Sequence, residues 1–266
     1  MVILITGISS GFGLEMAKQL SADGHTVYGT VRRDVEQLPG IHYLKADVLR
    51  AEDAVSAVES VVAAEGRIDV LINNAGMGIG GPVEFNTEEE IKLQMDTNFM
   101  GQVRFIKAVL PHMRRQRSGR LICFSSLGGR MGLPLQGYYC ASKFAIEGLC
   151  EALRMEVSCH GIDVVVVEPG DFATGFTAAR RKDSVSAEAL EAYPYIPVTM
   201  ACLEGEETGG LTPDVLARKI SKIVSCRHPR CRYIISDPVQ RLSVPVKNLL
   251  PDGLYSKVMR LYYKLK

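Results

Sequence analysis

The chain has 266 residues, 47% of them apolar and 23% charged, and its 31 basic side chains against 30 acidic ones leave a net charge of +1. Such values describe a soluble globular protein with one sizeable core, and exclude a collagen-like or disordered chain and a protein built throughout to coat nucleic acid. Seven cysteines, an odd number without framework spacing, predict reduced thiols and a cytoplasmic setting.

The opening run Val2–Ile5 leads straight into Thr6-Gly7, which reads as a buried strand and a turn and not as a secretory leader. From there strand-like and helical patterns alternate. A helix is expected over Leu14–Asp23, a strand over Thr26–Val31, a helix over Glu52–Glu65 and a strand over Val70–Ile72. One long helix follows over Glu88–Arg115, then a strand over Arg120–Phe124, a helix over Gly137–His160 and a strand over Asp163–Val167. Helix Pro213–Cys226 and strand Arg232–Ile235 complete the pattern. Alternation of this kind predicts right-handed βαβ units in an α/β fold: a single Rossmann-type, doubly wound parallel sheet with helices on both faces. The whole of 1–266 reads as one domain, with a substrate loop over 171–211 and a C-terminal extension over 238–266. No apolar run approaches the ~18 residues that span a bilayer.

After the first strand stands Thr6-Gly7-Ile8-Ser9-Ser10-Gly11-Phe12-Gly13. Its glycines permit a tight turn and close approach of backbone N–H groups to a pyrophosphate, with a helix N-terminus behind them. The spacing is not G-x-G-x-x-G, and by itself the turn fits a purely structural role as well as a cofactor site. At the end of the second strand, where an acidic residue commonly meets the adenosine ribose, the chain reads Val31-Arg32-Arg33, with no carboxylate before Asp34. Two arginines suit a 2′-phosphate, so NADP(H) is expected over NAD(H). The plainer alternative is a solvated arginine pair.

Tyr139 and Lys143 stand four apart on a predicted helix and so share a face. A nearby cation favours an ionised phenol, making Tyr139 a usable acid/base. Ser126, at a strand end, offers a hydroxyl to a substrate carbonyl. Tyr138 and Ser125 are the competitors, and helix phase and strand alternation point them elsewhere. Glu168 and Asp171 are expected to be solvated or capping. Cys226-Arg-His-Pro-Arg-Cys231 lacks a second ligand pair, and no metal is expected.

Taken together, Thr6-Gly7-x-x-x-Gly11-x-Gly13, Asn73-Asn74-Ala75-Gly76, Asn98-x-x-Gly101, Ser126, Tyr139-x-x-x-Lys143 and Pro169-Gly170 resemble, in order and spacing, the short-chain dehydrogenase/reductase family. Asp96-Thr97-Asn98, Ser118-Gly119-Arg120, Gly129–Pro134 and Tyr139–Cys150 are similar to its 17β-hydroxysteroid dehydrogenase branch. The resemblance covers residues 1 to about 175 and implies a role for each matched position. Tyr139 exchanges a proton with the substrate oxygen, Lys143 bonds the nicotinamide ribose and lowers the tyrosine pKa, Ser126 orients the carbonyl and Asn98 holds a water in the relay. Gly7, Ser9, Ser10, Gly11, Phe12 and Gly13 form the cofactor turn. Asp47 and Val48 flank the adenine, while Asn74, Ala75 and Gly76 line its ribose side. Pro169, Gly170 and Thr174 meet the nicotinamide end, and Ser10, Arg32 and Arg33 receive the 2′-phosphate. The resemblance also implies a homodimer or homotetramer through the two long helices, whose apolar rows include Phe99, Val103, Ile106 and Leu110, and Phe144, Leu149 and Leu153.

Phe172, Phe176, Tyr193, Tyr195, Met200 and Leu203 predict an apolar pocket in the substrate loop for a bulky carbonyl compound: steroid-like, retinoid or keto-lipid. In the extension, Leu254, Val258, Leu261, Tyr262 and Leu265 alternate with Lys257, Arg260, Lys264 and Lys266 at helical spacing. Such a helix covers a pocket or a seam, or lies weakly on a membrane surface. The expected function is NADP(H)-dependent interconversion of a secondary alcohol and a ketone. The alternatives are a silent NADP(H)-binding sensor or scaffold, against which the complete Ser/Tyr/Lys/Asn set argues, and a peripheral membrane interaction protein.

Overall fold

In a computed structural model, which describes residues 1–265, seven parallel strands form one sheet in the order β3-β2-β1-β4-β5-β6-β7. The strands are β1 (Val2–Ile5), β2 (Thr26–Val31), β3 (Ile41–Lys45), β4 (Val70–Asn73), β5 (Gly119–Phe124), β6 (Ile162–Pro169) and β7 (Arg232–Ile235). Helices α1 (Gly11–Ala22), α2 (Ala51–Glu65), α3 (Glu88–Met95), α4 (Gly101–Gln116) and α5 (Gly137–Val157) connect the first six strands. Then come α6 (Ala187–Ala192), α7 (Ile196–Thr208), α8 (Pro213–Ser225), α9 (Pro238–Leu249) and α10 (Asp252–Tyr262).

The period-2 geometry of the strands builds two cores from the same residues. Leu4, Leu71, Val164 and Val166 face a cluster with α2, α4 and α5, including Val58, Phe105 and Ile146. Ile3, Ile5, Ile72, Val165 and Val167 face the opposite side, against Met16 and Leu20 of α1 and Leu216 and Ile220 of α8. Both faces are covered, which is why the strands read as continuous apolar runs. Strand order reverses at β1 and β4, so the crevice beyond their carboxyl ends is the topological place for a ligand.

Four features differ from expectation. β3 was not foreseen: it is a sheet edge on which only Ile41 is buried, and His42 and Lys45 interrupt its apolar run. The helix expected over Glu88–Arg115 is interrupted by a π-helical turn at Asp96–Met100, which lies at Asn98. The 171–211 segment is not an open loop; it carries α6 and α7, whose Ala189, Ile196, Met200 and Leu203 pack with Leu135 and Tyr263 into a small core of their own. Phe172 belongs to the main core, edge-on to Phe12 at 4.9 Å between ring centroids. The C-terminal extension forms two helices, α9 and α10, and its final residue Lys266 lies outside the described residues.

Candidate active site

The turn between β1 and α1 is held from behind by β4. Thr6 Oγ1 accepts hydrogen bonds from the backbone N–H groups of Asn74 and Ala75, both at 3.0 Å, and Asn74 Nδ2 donates to the carbonyls of Thr6 and Gly7, both at 3.0 Å. The Asn74 side chain therefore shapes the turn, with both amide hydrogens occupied. Gly7 has φ +74°, and a Cβ on Gly13 would lie 2.0 Å from the Gly7 carbonyl oxygen. Only glycine permits that helix to approach so closely. Ser9 and Ser10 are exposed beside Gly11 and Phe12, Ser10 stands at the N-cap of α1 without a capping bond, and the first turn has no acidic residue. A positively polarised helix end with a free hydroxyl and open backbone fits a diphosphate.

Arg32 and Arg33 are exposed immediately beyond β2. Lys45 pairs in register with Val31 on the neighbouring strand, adding a third cation that sequence reasoning missed because β3 was missed. Asp34, the next residue, is paired with Lys45 at 3.3 Å. This cluster fits a phosphate monoester. Asp47 Oδ1 accepts from Leu49 N–H at 3.0 Å, and Val48 packs over Gly101, its carbonyl held by Arg104 at 2.9 Å. Thr174 stands over Gly11, 4.0 Å from where a Cβ would sit, and so brings the start of the 171–211 segment onto the turn. Gly170, following Pro169, faces Gln240 of α9 so closely that a Cβ there would lie 2.1 Å from its Oε1.

Across the crevice, α5 brings Tyr139 and Lys143 together, with the Lys143 Nζ 5.7 Å from the tyrosine ring centroid. Ser126 follows β5 and accepts from Gly128 N–H at 3.1 Å, while Ser125 is buried behind it under α5. Burial pushes the Tyr139 phenol up to about 12, and the neighbouring Ser126 hydroxyl draws it only partly back. The lowering expected from Lys143 is not seen. Its own ammonium is brought down to about 8 by burial, with Glu147 acting in the opposite sense, and it donates to the Phe124 carbonyl at 3.0 Å. The phenol is thus a protonated acid at neutral pH. Asn98 is fully buried: its Oδ1 accepts from Met77 N–H at 2.8 Å, and its Nδ2 donates to Met77 O and Ser142 Oγ. Oδ1 would lie 3.3 Å, and Lys143 Nζ 3.9 Å, from a Cβ placed on Gly76, so these three residues converge at one point. With both amide hydrogens engaged, only a lone pair of the Asn98 side chain is left to hold a water.

Over the phenol lies the 171–211 segment. The Phe176 ring is 5.9 Å from that of Tyr139, and the Arg180 guanidinium is 5.8 Å from Phe176. Arg180 is buried and paired with Glu207, which also accepts from Thr177 Oγ1 at 2.6 Å. Beside them opens a cavity of about 620 Å³ lined by Thr174, Thr177, Arg180, Lys182, Glu204 and Thr208, among others. The lining mixes charged and small residues, Ala178, Ala201 and Gly205 among them, and the expected aromatic wall is absent from it, because Tyr193, Tyr195, Met200 and Leu203 pack into the small core instead. Arg180 and Glu207, 27 residues apart, had no local signal.

Glu168 and Asp171 are not solvated. Glu168 is buried, 3.4 Å from Arg130 and 3.5 Å from Arg232, and burial with the neighbouring Glu147 charge raises it to about 7. Asp171 is raised to about 7 by burial and by the charges of Glu206 and Glu207. Its N–H donates to Gln240 Oε1 at 3.0 Å, and its carboxylate accepts from Gln240 Nε2 at 2.5 Å.

A glycine-walled anion turn at the sheet's switch point, facing a Ser/Tyr/Lys cluster, defines a nucleotide-dependent α/β oxidoreductase. The short chain dehydrogenase family model matches residues 1–185, and the chain belongs to that family. Over 265 residues the chain is 45% identical to a 3-ketodihydrosphingosine reductase of Bacteroides thetaiotaomicron, covering 100% of this chain and 98% of that one. It is 41% identical over 191 residues to human 17-beta-hydroxysteroid dehydrogenase type 1, covering 66% of this chain and 58% of that protein. The fold matches a short-chain dehydrogenase from Streptomyces avermitilis with a TM-score of 0.81 at 28% identity, covering 97% and 96% of the two chains.

Proposed function

We propose that this chain is a cytoplasmic NADP(H)-dependent reductase of a long-chain keto-lipid, interconverting a ketone and a secondary alcohol. The observation that carries the substrate class is the 45% identity to a keto-lipid reductase over the full length, lid and tail included. The steroid-directed relative matches only 66% of the chain. The arginine pair with Lys45 and the free Ser10 hydroxyl support the phosphorylated cofactor. All seven cysteines are free, in keeping with a reducing compartment.

Gly7, Ser9, Ser10, Gly11, Phe12 and Gly13 would hold the diphosphate, with Asp47, Val48, Asn74, Ala75 and Gly76 along the adenosine and ribose side. Pro169, Gly170 and Thr174 would bound the nicotinamide. When bound, that group supplies or accepts the hydride. The protein handles the proton. Ser126 Oγ hydrogen-bonds the substrate oxygen and polarises the carbonyl. Tyr139, protonated at neutral pH, donates its phenolic proton as charge builds on that oxygen. Lys143 stabilises the phenolate left behind, and the Asn98 end of the cluster is where a water would return the proton. The Phe176 ring shields the phenol from solvent.

The test is NADPH oxidation with 3-ketodihydrosphingosine, a steroid ketone and a retinoid, in wild type and Tyr139→Phe. Turnover is expected on the amino-ketone lipid, falling by about 10³-fold or more without the phenol. A higher kcat/KM on the steroid overturns the substrate class, and turnover that survives Tyr139→Phe overturns the relay.

The outer face of α5 supports a homodimer or homotetramer. Phe144 and Met155 remain exposed on α5, although Ile106 and Leu153 from the predicted apolar rows are buried against the sheet. Light scattering on the purified protein decides the assembly.

A further inference from the structure

The last two helices are apolar on two sides. Their inner faces are accounted for: Val244 of α9 and Tyr255 of α10 pack with Leu127 and Met131, and Tyr263 and Met259 pack on the small core around α7. Thr199 Oγ1 donates to the Tyr263 carbonyl at 2.7 Å, and Glu206 accepts from the Tyr262 and Tyr263 hydroxyls. The tail is therefore docked, and packing explains half of its apolar residues. It does not explain the other half. On α9, Val239, Leu242, Val246 and Leu249 recur every three or four residues, forming one stripe on the side opposite Val244, and they are 78%, 63%, 48% and 83% exposed. On α10, Leu254, Val258 and Leu261 repeat the pattern, with Leu261 71% exposed.

Charge identifies what such stripes meet. Residues 238–266 hold six of the chain's 31 basic residues and one of its 30 acidic residues, a net +5, so the preceding 237 residues carry −4. Arg241 and Lys247 flank the α9 stripe, and Lys257 and Arg260 line one edge of the α10 stripe. A second copy of the chain is a poor occupant, because a two-fold contact would set these cations against themselves. An anionic lipid surface satisfies both features at once: leucines enter the acyl boundary while lysines and arginines meet the headgroups.

We propose that α9 and α10 form a membrane-docking surface for anionic lipid bilayers, held at the wall of the active-site crevice. The coupling to the site is direct. Gln240 of α9 is bonded to Asp171, just beyond the Pro169–Gly170 turn, and Val244 packs on Leu127, next to Ser126. Docking brings the mouth of the crevice to the lipid, from which a long-chain ketone would be drawn. That last step rests on the keto-lipid reading, whereas the docking itself does not.

The experiment is co-sedimentation of the full chain with vesicles of phosphatidylcholine alone and of phosphatidylcholine with phosphatidylglycerol. It is run with wild type, L242D/L249D and L254D/L261D, with size-exclusion light scattering and thermal melting in parallel. Wild type is expected to pellet with the anionic vesicles, and to be released as salt screens the cations. Each double variant should lose at least about ten-fold in partitioning while melting as wild type does, since all four leucines are exposed. No pelleting with either vesicle overturns the proposal, as does pelleting that neither variant weakens. An oligomer that both variants dissolve, without vesicle binding by wild type, assigns the stripes to a second copy instead. If either variant melts early, L242S/L249S and L254S/L261S replace it and are read by the same criteria. None of these readouts uses turnover, so failure here leaves the substrate assignment standing, and failure of the substrate panel leaves docking standing.

Discussion

The first 170 residues and the last 96 are held in place by different physics. In the first region the site is fixed by close backbone packing and by side chains that bond backbone groups: a carbonyl 2.0 Å from where a Gly13 Cβ would stand, a threonine hydroxyl accepting from two N–H groups, and strands buried on both faces. In the second, the 171–211 segment and the tail are pinned by side chains: Arg180 to Glu207, Gln240 to Asp171, and Glu206 to two tyrosines. Backbone packing tolerates few residue types and so leaves a motif. Side-chain pairing can be built many ways, so the segments it holds can vary without disturbing the sheet.

The largest test of that contrast is Arg180→Ala. It leaves Glu207 enclosed without its cation, and breaking a buried pair in this way costs about 3–5 kcal/mol. If the lid is a separable unit, the loss is local. Limited proteolysis within 171–211 should accelerate by about 100-fold while the main melting transition moves by only a few degrees. A single transition that falls steeply, with no local cleavage, would show that sheet and lid unfold as one.

Val31→Asp acts on the other region alone. A carboxylate beside Arg32, Arg33 and Lys45 should lower the ratio of kcat/KM for NADPH over NADH by about 10- to 100-fold, with the ketone KM unchanged. An unaltered ratio removes the arginine pair from cofactor selection. The smallest effect is expected at the joint. Asp171 has a carboxyl raised to about 7 in the fold, so wild type loses stability as pH climbs from about 4 through about 7. Asp171→Asn should match wild type in melting temperature at pH 4 and exceed it by a few degrees at pH 8. A variant that melts lower at pH 8 shows that the Gln240 bond outweighs the repulsion from Glu206 and Glu207.

The same contrast explains what could be read without coordinates. Five strands were legible because, like Val2–Ile5 and Asp163–Val167, they are buried on both sides, and the edge strand β7 because Tyr233-Ile-Ile235 is still an apolar run. β3 was not, since His42 and Lys45 are exposed on a sheet edge. The π-helical turn at Asp96–Met100 is one added residue in a helical pattern, which shifts the phase without breaking it. α7 was hidden because Ile196-Pro-Val-Thr opens it with a proline and three β-branched residues. The four-residue spacing that puts Tyr139 and Lys143 on one face of α5 could be read from the sequence, but the direction of the phenol's pKa could not, because burial is a property of the assembled crevice. Glu168 and Asp171 were misjudged for the same reason. Next to a strand end they look solvated, and only α5, α7 and α9 enclose them.

The contact between Gly170 and Gln240 has a consequence for the order in which the protein is made. The turn that ends β6 is bonded to a residue about 70 positions later, which is synthesised well after it. Until α9 emerges, Asp171 has no Gln240 to hold it, although every motif residue of the crevice has already been synthesised. A nascent chain can assemble β1 to β6 early, but it acquires β7 and the finished rim of its crevice together, about 60 residues later.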